Sequence, residues 1–314
     1  MSDPTTLDGM AVDLAGVALR NPVVLASGTA GYLDELSEVL DLSRVGGVVT
    51  KSITARPRPG NKTWRIVECR GGMLNAIGLA NVGSEEFERA IGPRVASVPT
   101  TVIGSIAGFS VEDYTTVAAM WAGIDGVALV ELNLSCPNVH GGLEFGANPE
   151  AARALVSAVR PMLAEKKISV KLSPRTNDIV SVARACVEAG ADVLTIGNTF
   201  PAMAIDVETR RPRLSRITGG LSGPAIHPIT LKLVFEVHRA VARESGTPII
   251  GAGGVMTWKD AAAYILAGAS AVQMGAALFA DPRSPLKVAA GLEKWVRRQG
   301  CGSVRELVGM VEAP

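Results

Sequence analysis

The residues best suited to chemistry stand in one stretch, Glu131–Gly142, with the sequence E-L-N-L-S-C-P-N-V-H-G-G. An apolar, strand-like run ends there, and Asn133, Ser135 and Cys136 follow where the strand emerges. Pro137 stops regular strand pairing, and the glycines after it favour a mobile loop. A thiol at a strand end under such a loop suggests chemistry. The alternative is a buried cysteine that only packs before a turn, since free cysteine behaves as a small apolar residue.

Two lysines end apolar runs elsewhere in the chain. Lys51 follows the run that starts at Gly47, and Lys171 lies in the run Ile168–Ser173. A lysine beside a buried strand needs a partner, because lysine is almost never buried unpaired. Either lysine alone could simply extend its side chain so that the ammonium reaches solvent at the rim of the fold. Both together indicate an anionic ligand.

Glycines mark two further strand ends, Gly253-Gly254 and Gly275-Ala276. Backbone N–H groups at such positions can approach an anion, and a helix that begins near Thr257 would add its positive N-terminus. In barrels of alternating strands and helices, the loops after strands seven and eight often bind phosphate. The alternative is that these glycines merely end the strands.

Eight short runs are apolar on consecutive positions, which is typical of parallel strands buried on both faces. Helical patterns separate most of them, so the sequence predicts an α/β fold, a (β/α)8 TIM barrel, with a doubly wound sheet as the alternative. A hairpin around Gly16, formed by Val12–Val17 and Ala18–Val23, precedes the barrel. The predicted strands are Val23–Gly28, Gly47–Ser52, Thr100–Ala107, Gly126–Asn133, Ile168–Ser173, Val193–Asn198, Pro248–Gly254 and Ala271–Leu278.

The clearest helix is Asp178–Gly190, whose apolar face carries Cys186 and so predicts a packing role for that thiol. Two segments, Ile53–Val82 and Thr199–Ile226, exceed a normal connection and are expected to cover the active-site face. The other predicted helices are Ser110–Gly123, Pro149–Glu165, Pro228–Gly246, Thr257–Gly268 and Ser284–Arg298.

Composition narrows the class of protein. The 314 residues are 47% hydrophobic, enough for a sizeable core, and no linker or repeat divides residues 1–314, so one domain is expected. The net charge of +1 gives no basic field for nucleic acid. The four cysteines show no spacing typical of a metal site. The N-terminus has no signal-peptide pattern, and no apolar run is long enough to span a bilayer. These features favour a cytoplasmic protein with reduced thiols.

Four motifs together resemble one enzyme family. Lys51-Ser52-Ile53-Thr54, N-A-I-G-L at 75–79, N-L-S-C-P-N at 133–138 and G-A-G-G-V at 251–255 occur in the order seen in class 1 dihydroorotate dehydrogenases. The resemblance runs from about Val12 to Arg298 and implies an FMN-containing barrel that oxidises dihydroorotate to orotate. The N-A-I-G-L motif, and the G-G-L-E-F-G motif after the cysteine, resemble those of the NAD-linked branch of this family.

The resemblance implies roles for residues that match the family's motifs. Cys136 would be the base, and the loop Pro137–Gly146 a lid over the substrate. The substrate would be held by Lys51, Asn75, Ala76, Ile77, Gly78, Leu79, Asn133, Asn198 and Thr199. FMN would be held by Ser27, Lys51, Ser52, Ser105, Asn133, Lys171, Gly197, Gly223, Gly253, Gly254, Gly275 and Ala276.

Two positions depart from the family, which often has Asn where Ser105 stands and Thr where Ala276 stands. Each departure removes a side-chain hydrogen bond to the cofactor, which puts FMN affinity in question. The resemblance also implies a partner subunit that carries FAD and a [2Fe–2S] cluster, and a homodimer of barrels within a heterotetramer. The sequence itself has no G-x-G-x-x-G unit and no cysteine cluster.

Three other functions stay open at the level of sequence. A fumarate-linked dihydroorotate dehydrogenase would work without a partner. A related flavoenzyme that reduces pyrimidines shares the cysteine-bearing loop but normally carries cysteine-rich cluster domains. A non-catalytic flavin-binding assembly partner is the alternative from another class, and the presence of Cys136, Lys51 and Asn133 argues against it.

Overall fold

The chain forms a closed barrel of eight parallel strands, as the consecutive apolar runs predict. The computed structural model describes residues 9–135 and 145–312. Each strand pairs with the next along the chain, and the eighth pairs with the first. The barrel strands, numbered one to eight in chain order, are Val23–Leu25, Gly47–Val49, Thr101–Ile106, Val127–Asn133, Lys167–Leu172, Val193–Ile196, Ile249–Ala252 and Ala271–Met274.

Helices cover the outside of the barrel between most strands. Cys186 is fully buried on the core side of its helix, which confirms its packing role. None of the helices in the described parts of the chain is long and apolar enough to cross a membrane. The longer helices are Val111–Ala122, Pro149–Val159, Ile179–Glu188, His227–Val237, Trp258–Ala267 and Ser284–Arg298.

Some connections depart from the predicted alternation of strand and helix. Strands one and two are joined, within the fully described segment between them, by turns and a single 3-10 helix, Leu42–Arg44. Strand eight stops at Met274, and Leu278, predicted as strand, lies in the short helix Ala277–Ala280. Shorter helical pieces, several of 3-10 or π type, are Ser84–Glu86, Phe87–Ile91, Gly92–Ser97, Phe145–Ala147, Arg160–Leu163, Pro224–Ile226, His238–Ala242, Arg243–Ser245 and Val304–Leu307.

The predicted hairpin is present and lies at the N-terminal end of the barrel. Strands Val12–Leu14 and Val17–Leu19 pair in antiparallel register. The Asp13 carboxylate accepts a hydrogen bond from the Gly16 N–H at 2.9 Å, which closes the turn. Thr101, the first residue of strand three, donates its hydroxyl to the Ala18 carbonyl. The opposite end of the barrel is therefore left for the site.

The two long segments after strands two and six pair with each other over that opposite end. Strands Ile66–Cys69 and Gly72–Asn75 come from the first segment, and Phe200–Ala202 and Gly219–Ser222 come from the second. They form one antiparallel sheet, in which Asn75 pairs with Gly220. A separate ribbon joins Ile205–Asp206 to Arg211–Pro212. The expectation that these segments cover the active-site face is confirmed, although they are strands rather than irregular loops.

Candidate active site

A cavity of about 1210 Å³ opens at the carboxyl ends of the barrel strands. Its volume exceeds the 300–1,000 Å³ typical of a site for one small molecule. Its wall includes nearly every predicted site residue that the structure describes. These are Ser27, Lys51, Ser52, Asn75, Ala76, Ile77, Gly78, Leu79, Asn133, Lys171, Gly197, Asn198, Thr199, Gly223, Gly253, Gly254, Gly275 and Ala276.

Strands four and six bring three polar side chains together on one wall. The Asn198 amide donates to the Ser135 hydroxyl at 2.8 Å and to the Asn133 Oδ1 at 3.2 Å. Tyr114, from the helix packed outside, donates its hydroxyl to the Asn133 main-chain carbonyl at 2.5 Å. The end of strand four is thus fixed from both sides. Asn133 and Asn198 offer donors and acceptors to a planar polar ligand.

The segment Asn75–Leu79 forms another part of the cavity wall, and Leu79 in it has a strained backbone. Leu79 has φ 56°, in the left-handed region that costs a non-glycine residue energy. The Asn81 amide donates to the Leu79 carbonyl at 2.7 Å, and its oxygen accepts from the Gly83 N–H at 2.8 Å. Asn61 supports the same segment, donating its amide to the Ala76 carbonyl at 2.8 Å.

Lys51 supplies a positive charge at the rim of the cavity. It is half-buried and lies two residues beyond the end of strand two. Burial lowers the pKa of Lys51 from its usual range, the positive charge of Arg65 lowers it further, and Glu35 partly offsets both. An anion beside Lys51 would therefore stabilise the ammonium form.

Three serine hydroxyl groups form a chain between strands one, two and three, and Thr50 supports it. Ser27 donates to the Thr50 carbonyl at 2.8 Å and contacts the Ser52 hydroxyl at 3.1 Å. Ser52 in turn contacts the Ser105 hydroxyl at 2.8 Å, while Thr50 accepts from the Ser105 N–H. Ser105 is fully buried and is not part of the cavity wall. It lies behind Ser52, so direct contact with a cofactor stays a prediction for this residue.

The glycine loops after strands six and seven approach one another closely. Gly254 has φ +67°, and a Cβ built on it would lie 2.8 Å from the Gly223 carbonyl, so only glycine fits without movement. The Tyr264 hydroxyl donates to the Gly253 carbonyl at 2.8 Å and pairs with Thr230. These contacts fix the direction of the peptide between Gly253 and Gly254 at the cavity wall.

An acidic side chain of the protein caps the start of the helix that begins at Trp258. The Asp260 carboxylate accepts hydrogen bonds from the Met256 and Thr257 N–H groups. It therefore occupies the helix N-terminus with a negative charge of the protein's own. Thr257 is also outside the cavity wall. The contribution of this helix to anion binding stays a prediction, and Thr257 and Asp260 form a capping box at its start.

Two predictions fall outside the described residues. Cys136, the proposed base, is among residues 136–144, as are Pro137–Glu144 of the proposed lid. The described end of that segment, Phe145–Ala147, packs beside strand four, where a Cβ on Gly146 would lie 2.9 Å from the Leu134 carbonyl.

Several wall residues were missed by sequence reasoning. Arg58 places its guanidinium over the Phe109 ring at 4.6 Å and donates to the Gly78 carbonyl. Gln273, in the middle of strand eight, lies beside Lys171, with its Oε1 2.7 Å from the ammonium. A polar residue inside the apolar run A-V-Q-M was the available clue for Gln273. Ser215–Thr218 also lines the cavity and gave no clue beyond its position in a long segment.

The cavity has the properties that a bound flavin mononucleotide and a second polar anion would require. Lys171 is 7% exposed yet reaches the wall, so one buried cation faces the space. The cavity wall also includes the glycines that follow strands six, seven and eight, together with Asn133 and Asn198. The volume leaves room for two molecules. Fold and site together define a (β/α)8 barrel protein with a lysine-lined cavity at its strand ends.

Comparison with known proteins narrows this class to one family. The family model described as "Dihydroorotate dehydrogenase" matches residues 9–296. The chain therefore belongs to the dihydroorotate dehydrogenase family, as its motifs predict. The cavity lies where the ligands of barrel enzymes bind.

Individual relatives cover almost the whole chain. A protein of Geobacter sulfurreducens, named "Dihydroorotate dehydrogenase B (NAD(+)), catalytic subunit", is 48% identical over 304 residues, which is 96% of this chain and 98% of the relative. Proteins of the same name from Trichlorobacter lovleyi and Bacteroides thetaiotaomicron are 47% and 44% identical over 96% of this chain, and 98% and 99% of their own lengths are covered.

Proposed function

We propose that this chain oxidises dihydroorotate to orotate in pyrimidine biosynthesis, as the catalytic subunit of an NAD-linked enzyme. The observation that carries this proposal is the 48% identity, over nearly both full lengths, to a relative of that name. The cavity supports it independently, because it combines lysines, paired asparagines and glycine loops at the strand ends. Residues 1–314 would act as one domain, in the cytoplasm.

The reaction needs a base and an acceptor for two electrons. Dihydroorotate becomes orotate when carbon 5 loses a proton and carbon 6 loses a hydride. FMN bound in the cavity would accept that hydride. We assign the proton to the Cys136 thiolate, since Cys136 follows strand four directly after the wall residues Asn133 and Ser135.

The substrate would lie between the strand-end amides and the strained segment Asn75–Leu79. Lys51 would pair with the substrate carboxylate, and Asn133 and Asn198 would bind its amide edge. The hydrogen bond from Asn198 to Ser135 fixes the orientation of the Asn198 amide before the substrate binds. The proposed substrate residues are Lys51, Asn75, Ala76, Ile77, Gly78, Leu79, Asn133, Asn198 and Thr199.

The cofactor would occupy the other part of the cavity, with its phosphate against the glycine loops. Gly253-Gly254 and Gly275-Ala276 would approach the phosphate through main-chain N–H groups. Lys171 would hold a positive charge where the electron pair is received. The proposed cofactor residues are Ser27, Lys51, Ser52, Ser105, Asn133, Lys171, Gly197, Gly223, Gly253, Gly254, Gly275 and Ala276.

The assignment of the base is tested by Cys136→Ala. This variant should retain FMN, but dihydroorotate should reduce the bound flavin about two to four orders of magnitude more slowly, which is the usual contribution of a general base to a reaction rate. Cys186→Ala is the matched control, because Cys186 packs in the core away from the cavity. Stopped-flow absorbance of the bound flavin measures both. Near-normal reduction of Cys136→Ala at neutral pH would exclude the thiol as base.

The electrons must then leave the barrel for an acceptor. We infer a docked partner subunit that carries FAD and a [2Fe–2S] cluster and passes the electrons to NAD⁺, with two barrels pairing in a heterotetramer. The relatives' name, "catalytic subunit", supports a partner of some kind. Family likeness alone supports the partner's cofactors and the homodimer.

An acceptor assay separates this proposal from its alternatives. The isolated chain, loaded with FMN, is given dihydroorotate and then an artificial dye, NAD⁺ or fumarate. We expect dye reduction without NAD⁺ reduction until the partner is added. Fumarate turnover would assign the protein to the single-subunit branch instead. Oxidation of dihydrouracil in place of dihydroorotate would indicate a pyrimidine-reducing relative, and no turnover with any acceptor would leave only flavin binding.

A further inference from the structure

A cluster of polar side chains is enclosed in the barrel interior beneath the cavity. We call Glu131, Ser169, Lys171, Thr195 and Gln273 the buried polar network. Glu131, Ser169 and Thr195 are 0% exposed, Gln273 is 2% exposed and Lys171 is 7% exposed. They come from strands four, five, six and eight, and Lys171 and Gln273 reach the cavity wall. A charged group so deep in a core is costly unless it is paired and hydrogen-bonded.

The hydrogen bonds of this network all run toward Glu131. The Glu131 Oε2 accepts from the Thr195 hydroxyl at 2.9 Å and from the Gln273 Nε2 at 2.5 Å. A carboxylate can only accept, so Thr195 must donate to it and must in turn accept from Ser169, 2.9 Å away. The Gln273 amide is likewise fixed, with its nitrogen toward Glu131 and its oxygen toward Lys171.

Lys171 depends on this orientation. Its ammonium donates to the Gln273 Oε1 at 2.7 Å, and the Glu131 Oε1 lies 3.6 Å away without a hydrogen bond of its own. Glu131 therefore acts on Lys171 twice, as its counter-charge and through the Gln273 amide. If the carboxylate were neutral, the amide could turn and present its NH₂ group to the ammonium, which would then lose its acceptor.

We propose that Glu131 is a positioning residue that holds the Lys171 ammonium in place at the cavity wall, so that this charge favours electron uptake by the cofactor. The inference rests on the proposed function, since it concerns FMN bound in this cavity. Glu131 does not line the cavity and acts only through Lys171 and Gln273. In this way, residues in the barrel core set the midpoint potential of the bound cofactor.

The test compares the midpoint potential of bound FMN in four proteins: wild type, Glu131→Gln, Lys171→Met and the double variant. Removal of the carboxylate leaves a buried ammonium without its counter-charge, which favours the neutral amine. Glu131→Gln should therefore lower the potential in the same direction as Lys171→Met and weaken FMN binding. In the Lys171→Met background, the isolated buried carboxylate takes up a proton, so the second substitution should cause no further shift.

A potential that is unchanged or raised in Glu131→Gln, or shifts that add in the double variant, would overturn the inference. The matched control is Asp192→Asn, which removes a partly buried carboxylate paired with Arg160 and Lys167 before strand six, at the far end of the barrel. It should cost stability but leave the potential unchanged. If Glu131→Gln does not fold, Thr195→Val removes one donor to Glu131 and should produce a smaller downward shift, and no shift would refute the proposal.

The outcomes also separate this inference from the proposed function. A wild-type protein that binds FMN and is reduced by dihydroorotate, but shows equal potentials in wild type and Glu131→Gln, would refute only the role of Glu131. A wild-type protein that binds no FMN would refute the proposed function, and the inference with it.

Discussion

Replacement of Asn81 by leucine should damage the substrate wall without touching the substrate. Asn81 is 7% exposed, and its side chain makes four hydrogen bonds with the segments on either side of it. Its oxygen accepts from the Thr54 and Gly83 N–H groups, at 3.2 and 2.8 Å. Its nitrogen donates to the Thr54 hydroxyl and to the Leu79 carbonyl, at 2.8 and 2.7 Å. Leucine has a similar size and can make none of these bonds.

The expected loss of stability comes mainly from the two N–H groups. Each would lose its acceptor in a buried place, at a cost of about 1–3 kcal/mol. The other two losses are cheaper, because the Thr54 hydroxyl still donates to the Arg56 carbonyl and Leu79 is only half-buried. The free energy of unfolding should therefore fall by roughly 2–6 kcal/mol.

Orotate affinity should fall as well. Without Asn81, binding has to restore the left-handed conformation of Leu79, which costs about 1–2 kcal/mol. The Kd for orotate should therefore rise roughly 5- to 30-fold.

Urea unfolding and titration of the bound flavin's absorbance with orotate measure the two effects. Asn21→Leu is the matched control, because Asn21 is also buried and hydrogen-bonded to Arg44 and Val23, at the opposite end of the barrel. It should lose stability and keep its orotate affinity within about twofold. Equal losses of affinity in both variants, or unchanged affinity in Asn81→Leu, would refute the role given to this segment.

Three other side chains carry a prediction each. Burial lowers the pKa of Lys51, so orotate affinity should begin to fall at a lower pH than it would for a lysine with an ordinary pKa. Lys51→Met should weaken orotate binding roughly tenfold and remove this pH dependence. Tyr264→Phe removes the hydroxyl that donates to the Gly253 carbonyl, so the FMN dissociation constant should rise about fivefold, and an unchanged constant would contradict a supporting role. Burial raises the pKa of Cys186 to about 12, so roughly one thiol in ten thousand is ionised at pH 8. Mass spectrometry after alkylation should therefore find Cys186 unmodified in the native protein and modified after unfolding.

The barrel could be predicted because its strands are local features of the sequence. Runs such as Val127–Asn133 and Ile249–Ala252 are apolar at consecutive positions, and glycines or polar residues mark their ends. Strand ends of one barrel share one face, so their positions in the sequence are enough to place Lys51 and Lys171 in the same site. The family motifs then supplied the substrate and cofactor roles, which stay predictions.

The remaining features depend on pairing between distant segments. The strand Gly72–Asn75 pairs with Gly219–Ser222, nearly 150 residues later, and no local pattern encodes that register. The buried polar network was missed for the same reason, although Glu131 interrupts an apolar run and was an available clue. The cap that the Asp260 carboxylate forms at the start of its helix depends on a side-chain orientation that the sequence does not reveal.

The central claim is that this cavity places dihydroorotate against bound FMN. The most direct test is to add dihydroorotate to the FMN-loaded chain without oxygen or any other acceptor, and to follow the flavin absorbance. The account predicts rapid bleaching, competitive inhibition by orotate, and no bleaching with orotate alone. A chain that binds FMN fully but keeps its oxidised spectrum in saturating dihydroorotate would contradict it.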